Sequence, residues 1–200
     1  MSSSPSTPRL RITVALLVVV LALVAVSERG WATGLAGVAL QLAGLACIAC
    51  AALGRVWASV FIAGFKDETL VRSGPYSALR HPLYLLSLLA ALGIGLATRS
   101  LAIMLALVAT LGTIHAAAAR REDAVLHARH GAAFGDYRRA VRAFWPRRSS
   151  YEVPERLEIR PRVLWKAFLD AGSLLGYYAL LVIADALQLA GVTPTWLWLP

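Results

Sequence analysis

Two short segments hold most of the residues able to do chemistry. The first is Arg80-His81-Pro82 with Tyr84 two residues on, preceded by Gly74-Pro75-Tyr76. Gly74-Pro75 is a turn signal. Pro82 suits the first position of a helix, where its missing N–H costs nothing. Arg80 and His81 then stand at a helix mouth, where free backbone N–H groups can receive an anionic group such as a carboxylate. The second is Glu122-Asp123, followed by Leu126, Gly131, Phe134, Tyr137, Val141, Phe144, Trp145 and Pro146. Two adjacent carboxylates beside a membrane are costly unless a cation is bound. The aromatic residues Tyr137, Phe144 and Trp145 can line a flat ring or face a cation, or simply anchor at the headgroup level. His81, His115 and Glu122 are the side chains able to take a proton from an acceptor group.

The elements that position these residues follow from the apolar runs. The chain has 200 residues, 58% of them hydrophobic, and a mean hydropathy of +0.65. A soluble domain is nearer 45–50% apolar by the usual rough average, so the bilayer is the expected solvent. Five spans are expected: 10–26, 31–53, 82–97, 101–119, and one within 163–192 beginning near Phe168. The third is short and must start deep or tilt. The fold class is therefore all-α, a polytopic membrane helix bundle whose long loops carry the site. The organisation reads as a disordered tail (1–8), two spans (9–53), a core with spans three and four (54–146), a charged stretch (147–162) that is a linker or a surface helix, and a last span with its tail (163–200).

The net charge is +9. In a soluble chain this would suggest nucleic acid, but here the basic residues flank apolar runs, so anionic lipid headgroups are the expected partner and nucleic acid is not. With five spans, every Arg and Lys except Arg29 and Arg99 falls on one side, which the positive-inside rule makes cytoplasmic, together with the N-terminus and both long loops. Cys47 and Cys50 lie in an apolar run without a second pair; they read as small helix residues, and no metal site is expected. Asp185, inside the last span, reads as solvated near the far surface, and Tyr177 and Tyr178 as packing residues. His127 and His130 read as surface residues.

Residues 70–84 and 122–146 together resemble the isoprenylcysteine carboxyl methyltransferase and phospholipid methyltransferase superfamily. Its first signature, Leu-Val-x-x-Gly-Pro-Tyr-x-x-x-Arg-His-Pro-x-Tyr, is matched throughout residues 70–84. The spacing of its second, from a Glu pair through Gly-x-x-Tyr-x-x-Tyr to a basic stretch and Pro, is kept from Glu122 to Pro146. There are departures: Asp123 stands for the second Glu, Phe134 for a Tyr, His130 for an aromatic, Leu86 for a Gly, and Ala143 for an Arg that Arg142 or Arg139 would have to replace.

The resemblance implies an S-adenosylmethionine-dependent enzyme acting on a lipid-like acceptor. By the same resemblance, Arg80, His81 and Glu122 are catalytic, and His81, Pro82, Tyr84, Glu122, Asp123 and Tyr137 hold the cofactor, with Gly93 and Gly95 resembling a Gly-x-Gly element of the phospholipid branch. O-methylation of a carboxylate is favoured over N- or S-methylation. Two other readings stand beside it. Sterol-type reductases, which use NADPH, share a related Arg-His-Pro loop, but follow it with residues absent from Pro82-Leu83-Tyr84-Leu85-Leu86-Ser87. A non-enzymatic membrane scaffold would not need Glu122-Asp123 spaced from an aromatic-rich loop.

Overall fold

The computed structural model describes residues 7–29, 34–62, 69–146, 151–157, 159–193 and 196–199. Six helices run in chain order: α1 (Thr7–Val26), α2 (Gly34–Ile62), α3 (Pro75–Ala78), α4 (Pro82–Thr98), α5 (Leu101–Ala140) and α6 (Pro161–Leu189). Two three-residue strands, β1 (Ser27–Arg29) and β2 (Leu197–Leu199), pair in parallel. The sequence gives no signal for them.

Three helices, α2, α5 and α6, are long and apolar enough to cross a membrane; Ile12–Val26 and α4 are shorter apolar helices. Less than a third of each long apolar window is buried within the protein. Side chains such as Leu35, Leu53, Leu105, Trp165 and Leu189 point outward. An apolar exterior of this extent is what lipid, rather than water, solvates.

Three expected boundaries move. Span two ends at Ile62 rather than residue 53, which takes Arg55 and Trp57 out of the loop and into α2. Span four does not end at residue 119: α5 continues to Ala140, with Gly131 (φ 51, ψ −124) breaking the helical path. The last helix begins at Pro161 rather than near Phe168. In each case the helix runs on past the charged residues that border its most apolar stretch, because backbone hydrogen bonding propagates without regard to hydropathy. Of the expected tail, Thr7 and Pro8 belong to α1 and the rest lies outside the described residues. Of the charged stretch, 151–157 and 159–160 are non-helical, which favours the linker.

The chain forms two compact units. The first comprises residues 1–48, 90–114 and 175–200. Here α2 and α4 touch backbone to backbone: a Cβ on Gly93 would lie 2.7 Å from the Gly44 carbonyl oxygen, and one on Gly95 2.6 Å from Met104 on α5. Small residues permit this approach. Asp185 is buried, not solvated: its carboxylate accepts from Arg99 Nη2 (2.5 Å) and Gln41 Nε2 (2.6 Å). A carboxylate inside a span has no water to meet and must find donors on neighbouring helices. Tyr177 and Tyr178 go beyond packing, donating to the carbonyls of Leu17 and Gln41. Gly191 (φ 71) ends α6 in a Schellman turn, with Val192 N–H bonded to Leu187 O and Gly191 N–H to Gln188 O.

The second unit comprises residues 49–89 and 115–174. Leu86, where the resembling family has Gly, packs over Gly54 of α2, whose missing side chain gives it room: a Cβ there would lie 2.6 Å from Leu86 Cδ2. Gly74 has φ 60 and ψ −134 and faces the Phe61 ring, so glycine is required there by backbone angle and by space alike.

Candidate active site

The site lies wholly in the second unit. Pro82 opens α4, and His81 precedes it with its side chain almost wholly buried (3% exposed). Opposite stand Glu122 and Asp123, one turn beyond the apolar part of α5. Beyond Gly131, the segment 132–140 packs Phe134, Tyr137 and Val141 into a small core with Leu70 and Leu126. This returns the chain to the Arg80-His81 segment. Arg80 N–H donates to Arg142 O (2.9 Å) and His81 N–H to Ala143 O (3.2 Å). These amides, expected to be free for an anionic group, are therefore already used; a buried N–H must have a partner, and the returning chain supplies it.

The two adjacent carboxylates do different things. Asp123 accepts from Arg80 Nη2 and from His81 Nε2, each at 3.0 Å. Burial pushes its carboxyl up, but the His81 hydrogen bond and the charges of His81, Arg80 and Arg138 outweigh this and hold it below its ordinary value. Being ionised it only accepts, so His81 Nε2 carries the proton. Arg80 is further tied through Nη1 to the carbonyls of Arg138 and Val141. Asp123 thus fixes the His81 ring and the Arg80 fork. Glu122 is more open, its side chain 31% exposed; it accepts from the Tyr84 hydroxyl (2.9 Å) and lies 3.7 Å from His81 Nδ1.

A ladder of rings runs through the site. Tyr84 stacks on His115 (centroids 5.2 Å) and on His81 (5.6 Å), and Phe144 stands 5.9 Å from His81. Ile62, Tyr76, Arg80, His81, Pro82, Leu83, Tyr84 and Glu122 enclose a cavity of 60 Å³. Two buried polar atoms on its lining residues, the Tyr76 hydroxyl and Arg80 Nε, have no hydrogen-bond partner among the described residues. Buried polar groups are almost always satisfied, so such orphans point to a ligand or ordered water.

The profile of the phospholipid methyltransferase family matches residues 30–133, which contain the whole acidic and histidine side of this cavity. The chain belongs to that family. Two curated relatives are the cobalt-zinc-cadmium resistance protein CzcN of Cupriavidus metallidurans and the nickel-cobalt-cadmium resistance protein NccN of Alcaligenes xylosoxydans xylosoxydans. CzcN is 36% identical over 74% of this chain and 68% of its own length. NccN is 31% identical over 81% of this chain and 73% of its own. No solved structure matches the chain.

As a phospholipid methyltransferase family member, the chain brings together Arg80, His81, Pro82, Tyr84, Glu122 and Asp123. Tyr137 is buried beside them, but its hydroxyl donates to Tyr76 O (2.7 Å), and it joins the small core rather than the cavity wall. Gly93 and Gly95 belong to the first unit, where helix packing accounts for both. Of the aromatic trio, Phe144 reaches His81 while Trp145 is 72% exposed. Arg139 pairs with Asp136 on the surface, and Arg142 contributes its carbonyl. His115 stacks on Tyr84. Sequence reasoning missed Tyr76 as a cavity residue, although it stands in the matched motif. Ile62 and Leu83 carried no signal, since an apolar residue in a membrane chain is unremarked.

Proposed function

We propose that this membrane methyltransferase uses S-adenosylmethionine and passes its methyl group to a lipid-like acceptor dissolved in the bilayer, a carboxylate oxygen being favoured. The observation that carries this is the convergence of Arg80, His81, Tyr84 and Glu122 on one cavity with two orphaned polar atoms. The residues fit a cationic amino acid end: Glu122, with Tyr84 holding one oxygen, can accept an ammonium, and the orphaned Tyr76 hydroxyl and Arg80 Nε belong to residues lining the same cavity. The cavity at 60 Å³ equals about two waters by their liquid volume, so it fits such a group alone, and its walls must part to admit a nucleoside.

When bound, S-adenosylmethionine supplies an electrophilic methyl on a good leaving group. The chain's task is then alignment and charge. Asp123 keeps the His81 ring and the Arg80 guanidinium in place, the Tyr84–His115 stack holds the Tyr84 hydroxyl on Glu122, and the apolar wall of Ile62 and Leu83 excludes water. An ionised carboxylate acceptor needs no base; an amine or thiol would need His81 or Glu122 to take its proton. The N-terminus and both long loops are assigned to the cytoplasm by their arginines.

Binding of S-adenosylmethionine to purified protein by titration calorimetry tests the reading. Glu122→Ala should weaken it at least about tenfold, the order expected when a hydrogen bond to a charged group is lost. Arg139→Ala should leave it as it is. Full affinity in Glu122→Ala, or tighter binding of NADPH than of S-adenosylmethionine by the wild type, would remove the assignment. Incubation with membranes and labelled cofactor then identifies the acceptor.

A further inference from the structure

The 60 Å³ cavity admits one end of the cofactor, so a wall must give way. Most of its walls are held firmly. The Arg80 and His81 amides are bonded to carbonyls 142 and 143, and their side chains to Asp123. Ile62, Leu83, Tyr84 and Glu122 stand on the helices α2, α4 and α5. Tyr76 comes from a single turn, α3, entered at Gly74.

That turn is held from outside by the linker that follows the core. Glu152 O accepts from Gly74 N–H (2.5 Å), and Glu152 N–H donates to Ser77 Oγ (2.9 Å). One residue before, the Tyr151 hydroxyl accepts from Trp57 Nε1 (2.7 Å). Both rings are about half exposed, so water can replace that bond at little cost. Residues 151–156 are exposed and non-helical. A segment with few buried contacts and solvent-exposed bonds opens locally at low free energy. Glu152 and Arg72 line both of two surface grooves, of 270 and 390 Å³. Lifting the linker there removes a shared border of the two grooves and frees the turn that carries Tyr76. The linker lies outside residues 30–133, which the family profile matches.

We propose that Tyr151-Glu152 is a strap that gates the cofactor. It lifts from Gly74 and Ser77 to let S-adenosylmethionine in, and closes behind it. The inner side of the turn stays hinged on the Tyr137 hydroxyl, which bonds Tyr76 O. This rests on the S-adenosylmethionine reading and adds Trp57, Tyr151 and Glu152 as residues that control passage without touching the reacting atoms. The anchors are made before and after passage and broken during it. Weakening one therefore speeds entry and exit alike and leaves affinity unchanged, whereas a purely structural or cofactor-contacting residue would change affinity.

Surface plasmon resonance on the full chain in nanodiscs, with S-adenosylmethionine as the probe, tests this. Tyr151→Phe removes the anchoring hydroxyl, and both rate constants should rise about threefold, the scale of one neutral hydrogen bond, with their ratio kept. The opposite arm closes the strap. In a Cys47→Ser, Cys50→Ser background, Trp57→Cys and Tyr151→Cys are joined by a bismaleimide. Both rates should then fall at least about tenfold relative to the same protein capped with N-ethylmaleimide, because a tether keeps the anchor points together. If either protein does not fold, the other decides. Unchanged rates in Tyr151→Phe, a change in one rate only, or undiminished passage through the tethered strap overturns the proposal. Wild type that binds S-adenosylmethionine while variant and tether leave its rates alone ends this inference and leaves the methyl-transfer reading standing. Wild type that binds none ends that reading, and the strap with it.

Discussion

Asp123 and Glu122 are neighbours in sequence with opposite tasks, because successive helical side chains point about 100° apart. Asp123 faces Arg80 and His81 and is held ionised by them; Glu122 faces the cavity and is met by Tyr84. The depressed carboxyl has a pH consequence of definite sign. Its ordinary value is 3.8 and its folded value is lower. The stability it contributes is therefore fully present above the ordinary value and is lost as pH falls through the folded one. Thermal melting of the detergent-solubilised protein should show this step on acidification below about pH 4. Asp123→Asn should melt lower at neutral pH and lack that part of the acid step. An acid profile in Asp123→Asn identical to the wild type would show that the Arg80–His81–Asp123 cluster does not hold this charge.

At the scale of elements, two glycines shape the second unit. Gly74 starts the turn into α3, and Gly131 lets α5 change course so that residues 138–143 can return to Arg80 and His81. Both have a backbone conformation closed to other residues, at a cost of roughly 1–3 kcal/mol for a side-chain-bearing replacement. They differ in space: a Cβ on Gly74 would sit 2.3 Å from the Phe61 ring, whereas nothing lies within 4 Å of one on Gly131. Gly131→Ala should cost the backbone strain alone, and Gly74→Ala that strain plus an overpacking penalty of about 1–3 kcal/mol. Comparative melting of the two variants checks the order; a Gly131→Ala protein less stable than Gly74→Ala would contradict it.

For the whole molecule, the apolar exterior and the placement of arginine make one claim about orientation. The linker containing Glu155 belongs to the site-bearing unit and precedes α6. In a Cys47→Ser, Cys50→Ser background, a cysteine introduced as Glu155→Cys should resist a membrane-impermeant maleimide in intact cells and react in inverted vesicles. Labelling in intact cells would invert the assignment, placing the site on the outer face.

How much of this was readable in the chain depends on how local the cause is. The spans, the helix start at Pro82 and the turn at Gly74 were legible, since hydropathy and backbone restriction act within a few residues. So were Arg80, His81, Tyr84, Glu122 and Asp123, because their types and spacing match a known signature. The length of α5 past its apolar stretch was not, nor was the entry of Arg55 into α2, because helices continue for as long as hydrogen bonds and packing allow. Only the folded chain decided which carboxylate faces the cavity, that the Arg80 and His81 amides are taken by carbonyls 142 and 143, that Gly54 makes room for Leu86, and that Asp185 is buried between Arg99 and Gln41. Each of these is a contact between residues distant in sequence, set by which faces of separate helices meet, and no local pattern encodes that meeting.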